Sequence, residues 1–197
     1  RGFPGTPAGG QFVQLKVVLP PADTPKAREL YEQMKRELPY DARAISVGST
    51  ANYFGIPGAA KHSLALNGAE DAERFRLQML KLMAMADLQK DIRSSAGIDI
   101  VIIGGGATGV ELAAELREAS KVHRNYGIRR LDPDKDVRIT LLEGGPRILG
   151  PLPEKVSNAA ASLLGERHVR VVAGCRVARI EAGRVEDSDG NHYPADL

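Results

Sequence analysis

The chain has 197 residues, enough for one large domain or for one and a half small ones. Its 27 lysines and arginines nearly balance 25 aspartates and glutamates, so nothing in the charge argues for nucleic acid or another polyanionic partner. One cysteine, Cys175, excludes a disulfide framework, a C-x-x-C redox pair and a cysteine-built zinc cluster within these residues, and no apolar run approaches the roughly 20 residues of a membrane span. The opening Arg1-Gly2-Phe3-Pro4 resembles neither an initiator start nor a signal peptide, which gives the expectation of a piece of a longer chain.

Residues 1–25 are rich in glycine and proline around one apolar stretch, 12–19, that reads as a strand. Residues 26–38 have helix-forming composition, with Leu30, Met34 and Leu38 on one face. A short strand is expected at 42–47, ending on Gly48-Ser49, and the Asn52–Gly58 segment (NYFGIPG) has turn chemistry. A longer helix is expected over 69–90, where Phe75, Met79, Met83 and Ala86 recur at helical spacing; the methionines read as core packing. Ser94–Gly97 marks a domain boundary. From residue 98 the pattern runs strand, helix, strand, helix, strand, the signature of an α/β fold with a parallel sheet and crossover helices. These strands are 98–103, 137–142 and 169–172. The first helix runs to about Lys121, and a polar extension, 123–136, separates it from the second strand; its Arg129-Arg130 pair reads as solvated surface. The second helix, 153–166, carries Val156, Ala159, Ala160, Leu163 and Leu164 on one apolar face. Further strands are expected at 177–180 and 184–186, before a turn at 187–190.

The stretch that organises this pattern is Ile98–Glu111. An Ile/Val run leads into Gly104, Gly105 and Gly106, then Ala107, Thr108 and Gly109, so that Gly104, Gly106 and Gly109 fit G-x-G-x-x-G between a strand and a helix. Each glycine has its reason. Gly104 permits the tight turn, Gly106 lets the backbone approach a pyrophosphate, and Gly109 lets the helix lie close to the strand. The free N–H groups and dipole of the helix start favour phosphate charge.

A dinucleotide site also wants a carboxylate at the end of the second strand, where it can accept hydrogen bonds from both ribose hydroxyls of the adenosine half. Glu143 stands there. It lies farther from the glycines than the usual about 20 residues, and the 123–136 extension accounts for the excess. A 2′-phosphate would be repelled by Glu143, which favours NAD(H) over NADP(H), although Arg147 could in principle bind a phosphate. Glu111 has two readings. With Thr108 it fits a capping box that would satisfy N–H groups of the helix start; alternatively it points into the ligand cleft. The histidines, at 62, 123, 168 and 192, form no ligand-like spacing and read as surface residues, and Cys175 reads as a small hydrophobe.

Three blocks, Val47–Gly58, GGGATGVELAAEL at 104–116 and YGIRRLDPDKDVRITLLEGGPRIL at 126–149, resemble the type II (non-proton-pumping) NADH dehydrogenases, NADH:quinone oxidoreductases of the two-dinucleotide-binding-domain flavoprotein superfamily. The resemblance covers about residues 40–197 and is strongest over 98–165. It implies a Rossmann-like NADH-binding domain at 97–197, preceded over 1–96 by part of an FAD-binding domain and a connecting helix. It implies that Gly104, Gly105, Gly106, Thr108 and Gly109 cradle the NADH pyrophosphate and that Glu143 holds its adenosine ribose. Glu111 would match a glutamate beside the nicotinamide, near the flavin, and Gly48 and Ser49 a segment that approaches FAD. Hydride would pass from NADH to FAD, and electrons on to a quinone at the membrane surface, with the protein positioning the rings and tuning their electronics. The expected setting is peripheral, on the cytoplasmic side of the inner membrane, with membrane attachment through parts not in this sequence and a homodimer as one assembly.

Where the family opens with a second glycine fingerprint for FAD, this sequence has none, and residues 1–38 match poorly. An internal fragment, soluble and inactive by itself, is therefore expected. Two alternatives stay open: the NAD domain of a ferredoxin- or rubredoxin-type reductase, against which the 126–149 block argues, and a non-catalytic NAD-binding or sensing module. A methyltransferase pairs a glycine loop with a strand-end acid, but neither the glycine inside the helix start nor NYFGIPG is expected there.

Overall fold

The structure, a computed structural model, describes residues 12–15, 36–39, 50–90 and 96–197. The chain falls into two units, Arg1–Gly48 and Ser49–Leu197. In the first, β1 (Phe12–Leu15) and β2 (Arg36–Pro39) pair antiparallel, Phe12 opposite Pro39 and Leu15 opposite Arg36. The helix expected over 26–38 therefore does not extend through 36–38. Leu38 precedes a proline, which disfavours the helical region for it, and the backbone pairs with β1 instead. The rest of that helix, the strand at 42–47, and Gly48 and Ser49 lie outside the described residues.

The second unit is built around a parallel sheet. Its elements are α1 (Ala59–His62), α2 (Ala69–Gln89), β3 (Ile98–Ile103), α3 (Ala107–Lys121), β4 (Val137–Glu143), α4 (Glu154–Glu166) and β5 (Val169–Ala173). They are followed by β6 (Val177–Glu181), β7 (Arg184–Asp187) and β8 (His192–Pro194). Strands β3, β4 and β5 lie side by side and parallel, with Ile98 opposite Val137 and Ile139 opposite Val169. A strand–helix–strand chain whose strands run parallel must return each time by a crossover, and α3 and α4 are those crossovers. The chain's last two described residues lie along the free edge of β3: Val101 N–H donates to Leu197 O at 2.9 Å and Asp196 N–H to Asp99 O at 2.7 Å.

One core joins the sheet to its helices. Ile98, Ile100 and Ile102 of β3 alternate inward with Val137, Ile139 and Leu141 of β4 and meet Ala113 and Leu116 of α3. Met79, Met83 and Ala86 of α2 belong to the same core, as their spacing predicts. The 122–136 segment is less polar in structure than in letters. After a 3₁₀ turn at Val122–Tyr126, Ile128 and Leu131 are buried in that core. Asp87 on α2 receives the Arg130 N–H at 2.5 Å and the Leu131 N–H at 3.2 Å, and Lys90 pairs with Asp136 at 2.6 Å. The extension is thus fastened to α2, and Arg130 faces the Asp87 carboxylate rather than bulk water alone.

Helix α4 has the expected length but turns another face inward. Ser157 and Leu164 are buried with Ala160 and Ala161 partly covered, whereas Val156 and Leu163 are 43% and 51% exposed. The serine can face inward because its hydroxyl donates to Ile148 O at 2.7 Å.

Strands β6, β7 and β8 form a separate antiparallel sheet. The NYFGIPG segment docks on it: Ile180 N–H donates to Pro57 O at 3.0 Å, and Tyr53 and Ile56 pack on the second core around Val177, Ile180 and Val185. Gly58 is required there, since its φ is 81° and a Cβ would stand 1.9 Å from Ile180 O. Cys175 is buried in this core as expected of a small hydrophobe, but it has polar company. Its thiol faces Asp187 Oδ2 at 3.5 Å and the Tyr193 hydroxyl at 3.6 Å. Among the described residues, no helix is long and apolar enough to cross a membrane.

Candidate functional site

The site lies at the C-terminal edge of the parallel sheet, where β3 and β4 end and α3 begins. Strand β3 stops at Ile103 because Gly104 turns sharply, at φ 109°, a conformation that L side chains rarely adopt. Gly104 N–H still bonds back to Leu142 O at 2.8 Å, so the turn leaves directly from the sheet. Gly106 caps α3 with an extended backbone and no side-chain hydrogen bond. The first helical bond is Val110 N–H to Gly106 O. The N–H groups of Gly106, Ala107, Thr108 and Gly109 consequently have no acceptor among the described residues, the ordinary condition of a helix start.

Space around these donors differs from glycine to glycine. A Cβ on Gly106 would meet nothing within 4 Å, so the turn is open toward solvent there. A Cβ on Gly109 would stand 1.9 Å from Gly104 O; only glycine lets α3 start so close to the turn. Gly105 is hemmed in by the end of β4, with Ile148 Cγ2 at 2.7 Å and Glu143 Cβ at 2.9 Å from where its Cβ would be.

Glu143, half-buried, aims its carboxylate at this loop. Oε2 accepts the Gly105 N–H at 2.6 Å and Oε1 accepts the Gly145 N–H at 2.6 Å. A carboxylate offers about four lone-pair positions, so two remain for a ligand. Arg147 is engaged by its own loop: its guanidinium donates to Leu149 O at 3.4 Å and Gly150 O at 2.7 Å.

The capping-box reading of Glu111 is overturned. The helix begins at Ala107, which places Thr108 inside the first turn rather than at the cap, and no side chain caps the N-terminus. The Glu111 side chain is exposed and makes no hydrogen bond or ion pair among the described residues. It shares the solvent side of α3 with Thr108 and Glu115, opposite the buried Ala113 and Leu116. The structure thus brings Gly104, Gly105, Gly106, Gly109 and Glu143 together at one edge, with Thr108 and Glu111 on the helix that leaves it.

Two contributors are not visible in the motif. Gly145 supplies an N–H to Glu143, and Leu149, at φ 52°, donates its N–H to Gly105 O at 2.7 Å. The one signal for them is the Gly144-Gly145-Pro146 run directly after the acid, a turn signature that folds the chain back toward the sheet.

The sequence pattern of the pyridine nucleotide-disulphide oxidoreductases matches residues 15–197. The chain belongs to that family. It is 32% identical over 174 residues to the type II NADH:quinone oxidoreductase of Haemophilus influenzae, covering 82% of this chain and 39% of that protein. The type II NADH:quinone oxidoreductase Ndh of Mycobacterium tuberculosis is 28% identical over 157 residues, 78% of this chain and 34% of the relative. Among solved structures, NDH2 from Plasmodium falciparum in complex with NADH superposes with a TM-score of 0.65 at 22% identity, covering 84% of this chain and 35% of that one. A ferredoxin reductase from Rhodopseudomonas palustris gives 0.56 at 21% identity, over 82% of this chain and 36% of that structure. The structural likenesses show the Rossmann-like α/β fold common to both. The chain therefore spans well under half the length of these relatives.

Proposed function

We propose that residues 97–197 form the NADH-binding domain of a flavin-dependent NADH:quinone oxidoreductase, and that residues 1–96 contribute part of its FAD-binding domain and the connecting helix. The observation that carries this reading is the open row of N–H donors from Gly106 to Gly109 beside the Glu143 carboxylate. A pyrophosphate fits the donors because they are unpaired, sit at a helix N-terminus and face open space at Gly106. The adenosine ribose fits Glu143, whose two remaining lone-pair positions can accept two hydroxyls. Discrimination against NADPH follows from the same carboxylate, and Arg147 reinforces it by binding carbonyls of its own loop instead of standing ready for a 2′-phosphate.

In this reading bound NADH and FAD supply the hydride and electron-transfer chemistry. The chain's own part is to hold the pyrophosphate at Gly104, Gly105, Gly106, Thr108 and Gly109, fix the adenosine at Glu143, and present the exposed Glu111 carboxylate to the nicotinamide end. Gly48 and Ser49 are assigned to the approach to FAD. Quinone as the electron acceptor is supported by the names of the bacterial relatives and by the 126–149 block. A peripheral position at the cytoplasmic face of the inner membrane, and a homodimer, belong to the same proposal for a longer protein containing this chain.

Calorimetric titration with NADH and NADPH tests the nucleotide reading. Saturable NADH binding with NADPH at least about tenfold weaker, a difference of about 1.4 kcal/mol, is expected. Equal affinities would remove Glu143 from the ribose, and binding of neither would remove the site.

A further inference from the structure

Gly105 is the one residue of the glycine turn whose backbone polar groups are both tied to the end of β4 and the loop beyond it. Its N–H goes to the Glu143 carboxylate at 2.6 Å, and its C=O accepts the Leu149 N–H at 2.7 Å. The Glu143 stem lies against the same glycine, with Cβ and Cγ 2.9 and 3.1 Å from where a Gly105 Cβ would stand. The other carboxylate oxygen holds Gly145 at 2.6 Å, in the turn that carries Leu149 round to Gly105. Bonds from N–H groups to an ionised acceptor are roughly twice as strong as neutral ones. One side chain therefore clamps two turns from different parts of the chain.

We propose that Glu143 is a positioning residue for the glycine turn as well as a ribose ligand: it fixes the turn in the shape that presents the Gly106–Gly109 N–H groups before the nucleotide arrives. This rests on the reading that the turn binds NADH. Neutralising Glu143 would then not convert the site to NADPH, because the phosphate-binding turn is loosened together with the ribose contact. Glutamine cannot take over the clamp. A carboxamide has one acceptor oxygen and one NH₂, so one of the two N–H groups would face another donor.

The test uses an NADH analogue whose adenosine ribose lacks both the 2′- and 3′-hydroxyls. It gives Glu143 nothing to bind but still engages the turn. For the 197-residue chain, Glu143→Gln is expected to weaken this analogue by about tenfold or more, the cost of a charge-assisted hydrogen bond. Glu143→Asp, which keeps the charge but shortens the reach, should do likewise. In the unliganded chain the Gly105 and Gly145 amides should exchange with solvent about tenfold faster in both variants than in the unmutated chain. If Glu143→Gln weakens NADH but leaves the analogue and the exchange unchanged, Glu143 is a ribose ligand alone and the proposal is overturned. If the unmutated chain binds neither NADH nor the analogue, the NADH reading fails, and amide exchange alone decides whether Glu143 clamps the turn.

Discussion

The two edges of the parallel sheet are built on the same device with opposite signs. At the C-terminal edge an anion, Glu143, gathers backbone N–H groups from Gly105 and Gly145. At the N-terminal edge a cation, Arg117, gathers backbone carbonyls. Its side chain is fully buried, and its guanidinium donates to Pro133 O, to Val137 O at 2.8 Å and to His168 O at 3.0 Å. Those carbonyls belong to the 122–136 extension and to the starts of β4 and β5, so one side chain on α3 joins three segments. Burial lowers the pKa of the guanidinium, as expected when a charge leaves water, yet arginine stays charged at any ordinary pH. The difference lies in what is left over. The N-terminal edge is sealed from solvent around Arg117, whose buried Nε–H alone finds no acceptor among the described residues, while the C-terminal edge keeps a half-exposed carboxylate and a row of unspent N–H donors open to solvent. Closed polar clusters hold a fold together; open ones are where a ligand can be held.

The largest effect that would sharpen this contrast is expected at Arg117. Arg117→Ala strands three carbonyls and leaves a cavity, and should cost about 3–5 kcal/mol of stability in urea unfolding. Arg117→Lys should rescue little, because a compact ammonium cannot reproduce the planar fork. NADH affinity of the folded protein should stay within about twofold, a negligible free-energy change; a large loss of affinity would break the division between the edges. Next comes Gly109→Ala. Its Cβ would stand 1.9 Å from Gly104 O, so α3 must move off the turn, at about 1–3 kcal/mol of stability and with loss of NADH binding.

Gly106→Ala separates the two properties. The added methyl meets open space and the backbone φ is −71°, so stability should change by no more than about 0.5 kcal/mol. NADH affinity should still fall by about tenfold or more, equivalent to at least about 1.4 kcal/mol, because in the proposed site the methyl would stand where the pyrophosphate approaches. Unchanged affinity would remove Gly106 from the site.

A smaller effect is expected beside the site, where Cys175 N–H donates to Glu143 O at 2.9 Å. The buried Asp187 is held at a pKa of about 2 by the Asn191 side chain and N–H, the Tyr193 hydroxyl and the Asp189 N–H. Tyr193 is pushed upward by the Cys175 thiol, by burial and by Asp187, and Cys175 is pushed upward chiefly by burial. A carboxyl with a lowered folded pKa contributes stability above its ordinary value and loses it as pH falls toward the folded value. Asp187→Asn should therefore be less stable than the unmutated chain at neutral pH, with the gap closing between about pH 4 and about pH 2. A gap that stays constant through that window would show that Asp187 acts through shape rather than charge.

Much of the C-terminal edge was legible in the sequence because local chemistry dictates it. An Ile/Val run ending in glycines can only stop and turn, and the Gly104 φ and the crowding at Gly109 follow from that. The N-terminal edge was not legible. Arg117 looks like any helical arginine, since its partners are backbone carbonyls far away in the chain, and carbonyls have no letter. The 123–136 letters read as a polar extension with Arg129-Arg130 on its surface, yet Ile128 and Leu131 are core residues; two apolar residues in a loop carry no period. The inward face of α4 is not legible for a related reason. Val156 and Leu163 fit an apolar stripe as well as Leu164 does, and a buried Ser157, whose hydroxyl is satisfied by Ile148 O, carries no apolar signal. The Thr108/Glu111 pattern fitted a capping box but was out of register with a helix that starts at Ala107.

Amide hydrogen exchange with and without NADH tests the central claim most directly, since it reads both edges at once. Binding should protect the amides of Gly106, Ala107, Thr108 and Gly109, while those around Arg117 at the N-terminal edge keep their unliganded rates. Protection centred on the N-terminal edge, or NADH binding that leaves the Gly106–Gly109 amides unchanged, would contradict the account.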